Sequence, residues 1–409
     1  MPILGTIAAG SPAPSAPTIG TATAGDTTAS VAFTASSYIG KGTITYTATS
    51  SPSGLTATGA SSPLTVTGLT NGTAYTFTVV GITNYGVTSA TSSSSSPVTP
   101  AVPFVARALF AGGWSGTAAQ NTVDYVNFST AGNATDFGDL ATNSQNPIGV
   151  SSSTRGVFGG GTNGAGGNVI NTIEYFTIAS PGNGTDFGDL TVARQDGGGM
   201  SSSTRGIFAF GYAVTPTFTD VMEYITIATT GNSTNFGNSS IANGSAGNAG
   251  FSSPTRGVSG GGAINGGNNY TNIIEYVTIA STGNATNFGN LTVTRAGPAG
   301  ASSSTRGLFA AGVQPNGTRE NTIDYITIAS TGNATDFGDA TIARYNTAGT
   351  SDSTTALFAG GEGNEPTTTS QQNVIESVTI ATTGNAVDFG DLSVTRGRLD
   401  AVSNGHGGL

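Results

Sequence analysis

The chain contains no cysteine, a single histidine and a single tryptophan, and only 8% of its 409 residues are charged. The lack of cysteine excludes a disulfide framework, a thiolate metal site and a cysteine nucleophile. His406 has no second histidine or cysteine with which to share a metal ion, and no nucleophile motif accompanies it. No apolar run approaches the roughly 18 residues that span a bilayer. We therefore expect a protein that is not an enzyme and has no metal, no cofactor and no membrane segment.

Charge of either sign is almost missing from the first quarter of the chain. Residues 1–103 carry only Asp26 and Lys41, whereas the remainder carries 11 basic and 21 acidic residues, so that the net charge is −10. A nucleic-acid partner requires a basic face that neutralises phosphates. A neutral part followed by an acidic part therefore predicts no nucleic-acid partner.

Everything after residue 104 is a six-fold repeat of about fifty residues. The motif Arg-Gly-Val-Phe at Arg155 recurs, in close or looser form, at Arg107, Arg205, Arg256, Arg306 and Thr355. A fixed period near fifty, with several short strands per unit, is typical of a propeller or array built from one repeated supersecondary unit. Abundant Ser, Thr and Gly with periodic Val, Ile and Phe indicate an all-β protein.

Each repeat predicts four short strands, exemplified by residues 197–202, 205–208, 172–178 and 186–192. The third strand is apolar on both faces apart from one acid, as expected for a sheet packed between neighbouring sheets. The sequence of the first repeat begins near its second strand and lacks a first strand, whereas residues 399–404 at the other end of the chain align with a first strand. We expect this tail to insert into the first unit, so that both ends of the repeat region share one sheet.

The repeat resembles that of a kelch-type β-propeller. A glycine doublet ends strand two, an aromatic residue lies in strand three and another opens strand four. The strand-four aromatics stand where kelch repeats usually carry Trp: Phe137, Phe187, Phe236, Phe288, Phe337 and Phe389. The resemblance implies a six-bladed propeller over residues 104–409, closed by the C-terminal strand.

Residues 18–100 alternate in the manner of β-strands. Within them the pattern Leu-x-Asn-Gly-Thr-x-Tyr-x-Phe-x-Val, residues 69–79, resembles the sixth strand of a fibronectin type III domain. The resemblance implies a β-sandwich with Tyr75 at the tyrosine-corner position and Phe33 where the family usually has a core Trp. Residues 92–100, rich in Ser and Pro, predict a linker.

The first 17 residues predict a docking arm followed by a proline-rich linker. The arm is apolar, with Ile3, Leu4 and Ile7 as candidate particle-docking residues, but it has no basic n-region and only a very short apolar core. We interpret it as an anchor and not as a signal peptide.

Recurrent charged residues favour structural roles. Arg155, Arg205, Arg256 and Arg306 recur in step with Glu174, Glu223, Glu275 and Asp324, and an unpaired buried carboxylate is costly, so we predict repeated Arg–acid pairs. The Asp pairs of strand four, such as Asp186/Asp189, are replaced by Asn pairs in two units. That replacement favours turn chemistry, with calcium binding as the open alternative.

Two further patterns bear on surface chemistry. Each Asn-x-Thr sequon, at Asn133, Asn183, Asn232, Asn284 and Asn333, is preceded by glycine, which favours a tight turn over glycosylation. The loops between strands two and three carry Trp114, Tyr212, Phe218 and Tyr270 among Asn and Gly. Exposed aromatic residues among amides suit sugar stacking, which makes these four the candidate ligand-binding residues; packing over the sheet ends is the alternative.

The arrangement of arm, fibronectin-like module and Ser/Thr/Gly-rich propeller resembles accessory virion proteins of tailed bacteriophages, particularly marine, cyanophage-like ones. The repeat phrase Thr-Ile-Ala-Ser-Thr-Gly-Asn-Ala-Thr-Asp-Phe-Gly-Asp strengthens that resemblance. It implies a virion structural protein in several copies, held to other virion proteins by its arm and displayed as a fibre or decoration on head or tail. There it would attach to host envelope glycans. A secreted or surface-anchored bacterial adhesin or lectin is the alternative.

Overall fold

The computed structural model describes residues 12–164, 167–214, 217–241, 246–264, 269–364 and 369–409. Contacts divide the chain into two compact units, Met1–Phe104 and Val105–Leu409. All regular structure in the described ranges is β-strand, which confirms the all-β class predicted from the sequence. No helix in these ranges is long and apolar enough to cross a membrane.

The first unit has two three-stranded antiparallel sheets, ordered β1-β2-β5 and β4-β3-β6. Their strands are β1 (Thr18–Ala24), β2 (Thr28–Thr34), β3 (Ile44–Ser51), β4 (Thr56–Gly59), β5 (Leu64–Thr67) and β6 (Thr76–Thr83). Alternate residues point inward, so Val31, Tyr46, Phe77 and Val79 form one core. The hydroxyl oxygen of Tyr75 accepts a hydrogen bond from the Thr70 N–H at 3.1 Å and fixes the turn that leads into β6.

The segment predicted as a second linker is part of the first unit. The N–H groups of Ser89, Ser92 and Ser95 donate to carbonyls of β6 at 2.8–2.9 Å. Their hydroxyl oxygens accept from β6 N–H groups in return. Serine at every third position therefore docks an irregular segment along the β6 edge, where a free linker was expected.

The second unit begins with two repeats. Their strands are β7 (Arg107–Ala111), β8 (Thr122–Asn127), β9 (Thr135–Asp139), β10 (Ile148–Ser151), β11 (Arg155–Gly159), β12 (Thr162–Asn163), β13 (Asn168–Val169), β14 (Thr172–Thr177) and β15 (Thr185–Asp189). The third and fourth repeats supply β16 (Gly198–Ser201), β17 (Arg205–Ala209), β18 (Tyr212–Val214), β19 (Thr217–Phe218), β20 (Val221–Thr226), β21 (Thr234–Asn238), β22 (Ala249–Ser252), β23 (Arg256–Gly260), β24 (Ile273–Thr278) and β25 (Thr286–Asn290).

The last repeats supply β26 (Ala299–Ser302), β27 (Arg306–Ala310), β28 (Thr322–Thr327), β29 (Thr335–Asp339), β30 (Arg344–Tyr345), β31 (Ala348–Ser351), β32 (Thr355–Ala359), β33 (Glu362–Asn364), β34 (Thr369–Gln371), β35 (Val374–Thr379), β36 (Val387–Asp391) and β37 (Asp400–Ser403). Six four-stranded antiparallel sheets result. We number them one to six: β37-β7-β8-β9, β10-β11-β14-β15, β16-β17-β20-β21, β22-β23-β24-β25, β26-β27-β28-β29 and β31-β32-β35-β36.

The predicted insertion of the C-terminal tail into the first repeat is confirmed. In β37, Asp400 pairs with Ala111 and Ser403 pairs with Ala108 in antiparallel register. Val402 is buried beside Leu109 and supplies the apolar residue that the first strand has at this position in four of the five other repeats. The first sheet is therefore built from the two ends of the repeat region.

We call β10, β16, β22, β26, β31 and β37 the inner strands. Each contacts the inner strands of two neighbouring sheets, and β37 contacts both β31 and β10. The second residue of each inner strand is glycine, except for Ala401 in β37. A Cβ added to Gly250 would overlap the backbone of Gly199, and one added to Gly300 would overlap Gly250. Glycine is thus required here because neighbouring backbones approach so closely.

Strand four is shorter than predicted. In the second repeat it ends at Asp189 and does not continue to Val192. The N–H groups of Thr191 and Val192 instead donate to the carboxylate of Glu223 in the next sheet. A side chain from a neighbouring repeat therefore ends the strand, which the local pattern of Leu, Thr and Val does not reveal.

Candidate functional site

The repeated arginines do not pair with the acids, contrary to the prediction. The guanidinium of Arg155 lies over the ring of Tyr175, 4.4 Å from its centroid, and donates to the carbonyls of Ile227 and Ala228 in the next sheet at 3.1 and 2.9 Å. Arg107, Arg205, Arg256 and Arg306 stack on Tyr125, Tyr224, Tyr276 and Tyr325 in the same way. Arg155 lies opposite Thr177 in register, and Tyr175, two residues before Thr177 on the same face of strand three, offers its ring to the guanidinium, so the acid is left for another partner.

The acids pair with a second set of arginines that follow strand four of the preceding repeat. The ion pairs are Arg194–Glu223, Arg295–Asp324, Arg344–Glu376 and Arg396–Asp124, with N···O distances of 3.1, 3.0, 2.6 and 3.1 Å. All eight side chains are fully buried. Burial lowers the pKa of each of these arginines, and the facing carboxylate opposes that shift. Each pair joins two neighbouring sheets.

Two buried strand-three acids form no ion pair within the described ranges: Glu275, whose carboxylate accepts hydrogen bonds from Ser239 and Ser240, and Glu174. Ser144 stands at the position that Arg194 occupies in the next repeat. The carboxylate of Glu174 accepts a hydrogen bond from the Ala141 N–H at 2.8 Å. Burial raises the pKa of Glu174, and the hydrogen bonds from the backbone of Ala141 and Thr142 only partly offset that rise. The junction between sheets one and two therefore contains a destabilised carboxylate.

The asparagines of the sequons join sheets as well. Asn232 Oδ1 accepts a hydrogen bond from the Asp189 N–H of the preceding sheet at 3.0 Å. The Oδ1 atoms of the other sequon asparagines, Asn133, Asn183, Asn284 and Asn333, accept the same bond at 3.0–3.1 Å, and so does Asn385 Oδ1 at the corresponding position of the last repeat. These side chains hold tight turns against the next strand four, in agreement with the turn interpretation.

Charged residues that break the repeat gather at one end of the inner strands. Asp196, Arg398 and Asp400 line one cavity, and Glu362 forms an ion pair with Arg398 at 2.6 Å. None of these four residue types recurs at its position in the other repeats. Since repeated charges join the sheets, charges present once are the better indicators of a binding site. We call this cavity, of about 80 Å³, the polar cavity.

The lining of the polar cavity includes a closed cycle of six backbone hydrogen bonds. In it each N–H donates to the carbonyl of the corresponding residue one repeat away, at 2.6–3.1 Å, through Asn146, Asp196, Gly247, Gly297, Asn346 and Arg398. All six residues have positive φ, between 53° and 65°. Only Gly, Asn and Asp adopt this conformation readily, so Arg398 is strained there. The cycle fixes the side chains of Asn146, Asp196, Asn346 and Arg398 around a common opening.

Two carboxyl groups of the polar cavity have raised pKa values. Burial raises the pKa of Asp196 to about 6, Arg398 opposes the rise and Glu362 adds to it. Burial raises the pKa of Asp400 to about 7, although its oxygens accept hydrogen bonds from the N–H groups of Gly149 and Ala401 at 2.6 and 2.8 Å. An additional hydrogen-bond donor would therefore stabilise the ionised form of both carboxyl groups.

Arg398 is held from two sides. Its Nε donates to Glu362, and one terminal nitrogen donates to Gln145 Oε1 at 3.2 Å. Burial raises the pKa of Tyr345 to about 12, with a hydrogen bond to Glu362 as the next cause. The guanidinium, the carboxylate and the phenol form one network beside the cycle.

The opposite ends of the inner strands carry a regular cycle. Each pair of neighbouring inner strands is linked by a serine hydrogen bond, through Ser151, Ser201, Ser252, Ser302, Ser351 and Ser403. His406 lies against this cycle, with Nε2 3.0 Å from the Ser151 carbonyl oxygen. Burial lowers the pKa of His406 to about 4. This end is symmetric and covered by the chain's own tail.

Three of the four predicted ligand-binding aromatics are neighbours. Phe218 is buried, Tyr212 packs on it with ring centroids 4.4 Å apart, and Tyr270 belongs to the same apolar cluster. This cluster borders the cycle, because Gln195 next to Asp196 pairs with Tyr212. Trp114 is partly buried and does not belong to this cluster. It pairs with Ala119 and with Gly397, the residue before Arg398, so it borders the cycle at a different repeat. The predicted docking residues Ile3, Leu4 and Ile7 lie outside the described residues.

Sequence reasoning missed Asp196, Asn248, Arg398 and Asp400. A signal was present, since aligning the repeats places Asp196 and Arg398 in a column otherwise occupied by Gly and Asn. Calcium binding was the alternative interpretation of the strand-four Asp pairs. In the described ranges no group of three or more His, Cys, Asp or Glu residues is arranged to hold a metal ion.

No protein-family model matches this chain, and no curated protein is significantly similar to it. Function is therefore argued from the sequence patterns and the geometry of the two units.

Proposed function

We propose that the chain is a non-enzymatic structural protein displayed on the surface of a tailed-bacteriophage virion, where it contacts host envelope glycans. In this proposal residues 18–100 are a fibronectin type III-like sandwich, and residues 104–409 are a six-bladed kelch-like β-propeller closed by β37. The arm of residues 1–17 docks on other virion proteins, and each particle carries several copies.

The observation that carries the proposal is the use of the repeated polar residues. The stacked arginines, which donate to carbonyls of the next repeat, the buried ion pairs and the turn asparagines all connect one sheet to the next. The asparagine bonds occur at six junctions, the stacked arginines at five and the buried ion pairs at four. Repeated connections of this kind stabilise a rigid body and leave its loops to vary. Rigidity together with variable loops suits a displayed attachment module.

Further support comes from the contacts of the inner strands and from the first unit. The inner strands succeed one another from β10 to β37, and β37 contacts β10, as blades do around a propeller. Tyr75 accepts its hydrogen bond from a backbone N–H five residues upstream, as in a tyrosine corner.

Immunogold electron microscopy tests the virion assignment directly. Antibody raised against residues 105–409 is applied to phage particles purified from lysates of the source host, with pre-immune serum as the control. Label over the head is expected for a decoration or head fibre, and label at the tail for a receptor-binding protein. Bare particles together with labelled host cells would overturn the proposal in favour of a bacterial adhesin.

A further inference from the structure

We propose that the polar cavity is a glycan subsite that binds the hydroxyl-bearing edge of a single sugar ring, with Asp196 as its principal acceptor. This inference rests on the proposed attachment role and assigns that role a place. The sequence predicted ligand binding at the aromatic loop residues. The proposed subsite instead has its centre at the cycle of backbone hydrogen bonds, which those loops border.

A buried, unsatisfied acceptor on a residue that lines the cavity supports a ligand. Asn248 lines the polar cavity and is 6% exposed. Its Nδ2 donates to Ser259, whereas its Oδ1 accepts no hydrogen bond from any described residue. A buried carbonyl oxygen without a donor is costly. A ligand hydroxyl that donates to Asn248 would remove that cost.

The mixture of charges selects the ligand class. Asp196 and Asp400 disfavour an anion, whereas Arg398, paired with Glu362, disfavours a bare cation. The amides of Asn146 and Asn346 both donate and accept. A hydroxyl group also donates and accepts, so a polyhydroxylated ring matches this lining better than an ion of either sign.

Aromatic side chains stand beside the cavity to receive the apolar face of such a ring. Tyr212 is partly exposed and lies close enough to Asp196 for the carboxylate to add to the burial-driven rise of the tyrosine pKa. Tyr345 precedes Asn346 of the cycle and is also partly exposed. A polar centre bordered by aromatic rings is the arrangement that a sugar, with its polar edge and apolar face, requires.

The test compares two Asp→Asn substitutions that the chain itself tolerates. Asp196→Asn places at the cycle the residue that Asn146 and Asn346 already supply with the same positive φ. Asp189→Asn, the control, copies Asn238 and Asn290 in strand four and does not line the polar cavity. Both variants are expected to fold, which their Tm values check.

Binding is measured on the full chain by saturation-transfer NMR and titration calorimetry. The probes are the methyl glycosides of glucose, galactose, mannose, rhamnose and N-acetylglucosamine, with calcium chloride and lysine as ionic probes. At least one glycoside is expected to bind the unmodified chain and the Asp189→Asn control equally. Asp196→Asn is expected to weaken that binding about tenfold or more, as for a lost hydrogen bond to a charged group.

Three results would overturn the subsite. They are the absence of binding to every glycoside, undiminished binding to Asp196→Asn, and binding to calcium or lysine in place of sugars. Failure of the virion assignment is distinguishable, since unlabelled phage particles leave glycoside binding unaffected. Labelled particles with undiminished binding to Asp196→Asn would place the sugar elsewhere, for instance at Trp114, and leave the attachment role standing.

Discussion

Five of the six junctions between neighbouring sheets carry an arginine stacked on a tyrosine, and the junction between sheets six and one does not. There Thr355 replaces the arginine and Ser377 replaces the tyrosine, so both members of the stack are missing together. The other contacts persist at this closing junction. Arg396 pairs with Asp124, and Asn133 accepts from the Asp391 N–H.

The comparison separates two kinds of connection. Buried ion pairs and turn asparagines link repeats that are neighbours in sequence and also link the two ends, which lie more than 250 residues apart. The stack is the connection that the closing junction lacks. This junction therefore depends on β37, whose pairing with β7 brings the two ends of the unit together.

Removing β37 should have the largest effect on stability. Trimming residues 397–409 takes away Leu399 and Val402, each buried and worth about 1.5–3 kcal/mol, together with the pairing to β7. We expect the second unit to lose about 5 kcal/mol or more, with a fall in Tm of roughly 10 °C or more by calorimetry. Trimming only residues 405–409 keeps β37 and is the control. An unchanged Tm after the longer deletion would contradict the closing role of β37.

Breaking one buried ion pair should come next. Arg344→Met leaves the Glu376 carboxylate buried without its guanidinium, at a cost of about 3–5 kcal/mol in the free energy of unfolding. Arg306→Met, which removes a stacked and partly exposed arginine, should cost about 1 kcal/mol. Chemical denaturation measures both. Adding Glu376→Gln to Arg344→Met should restore part of the loss, and equal losses from the two single variants would show that burial of the pair is unimportant.

The stability of the second unit should depend on pH through Glu174, a buried acid without an arginine partner. Because burial raises the pKa of Glu174, the folded protein binds a proton that the unfolded chain releases, so stability falls as pH rises from the ordinary Glu range through the raised pKa. Glu174→Gln should therefore raise Tm above that window and leave it unchanged below it. Glu376→Gln, which leaves the buried Arg344 guanidinium without a carboxylate partner, should lower Tm. A Glu174→Gln variant with the same pH profile as the unmodified chain would contradict this account.

Installing the missing stack should have the smallest effect. With Thr355→Arg and Ser377→Tyr together, the new guanidinium can lie over the new ring and donate to the carbonyl of Phe128. Phe128 is the residue of the first repeat that corresponds to Ile178, whose carbonyl accepts from Arg107. The gain expected is about 0.5–1 kcal/mol, or about 2 °C in Tm. Thr355→Arg alone lacks the ring and should give no rise. A double variant no more stable than this single one would show that the closing junction has a different geometry.

Part of the candidate site was accessible from the sequence. Tyr212, Phe218 and Tyr270 stand out as aromatics in variable loops, and they lie together beside the polar cavity. Asp196 and Arg398 gave no local signal, because each follows strand four in an ordinary polar turn. Only the hydrogen-bonded cycle, whose members lie about fifty residues apart, brings them to one opening.

The sequence by itself determined the period, the strands and the return of the tail. Glycine spacing, alternating apolar residues and the alignment of residues 399–404 with a first strand suffice, because all three depend on local conformation and on repetition. Only the tertiary structure decided which arginine meets which partner. Arg155 and Arg194 have the same charge, but Arg155 lies over Tyr175 of its own sheet, whereas Arg194 contacts Glu223 of the next sheet. Strand register and the packing between sheets fix these distances, which spacing along the chain does not.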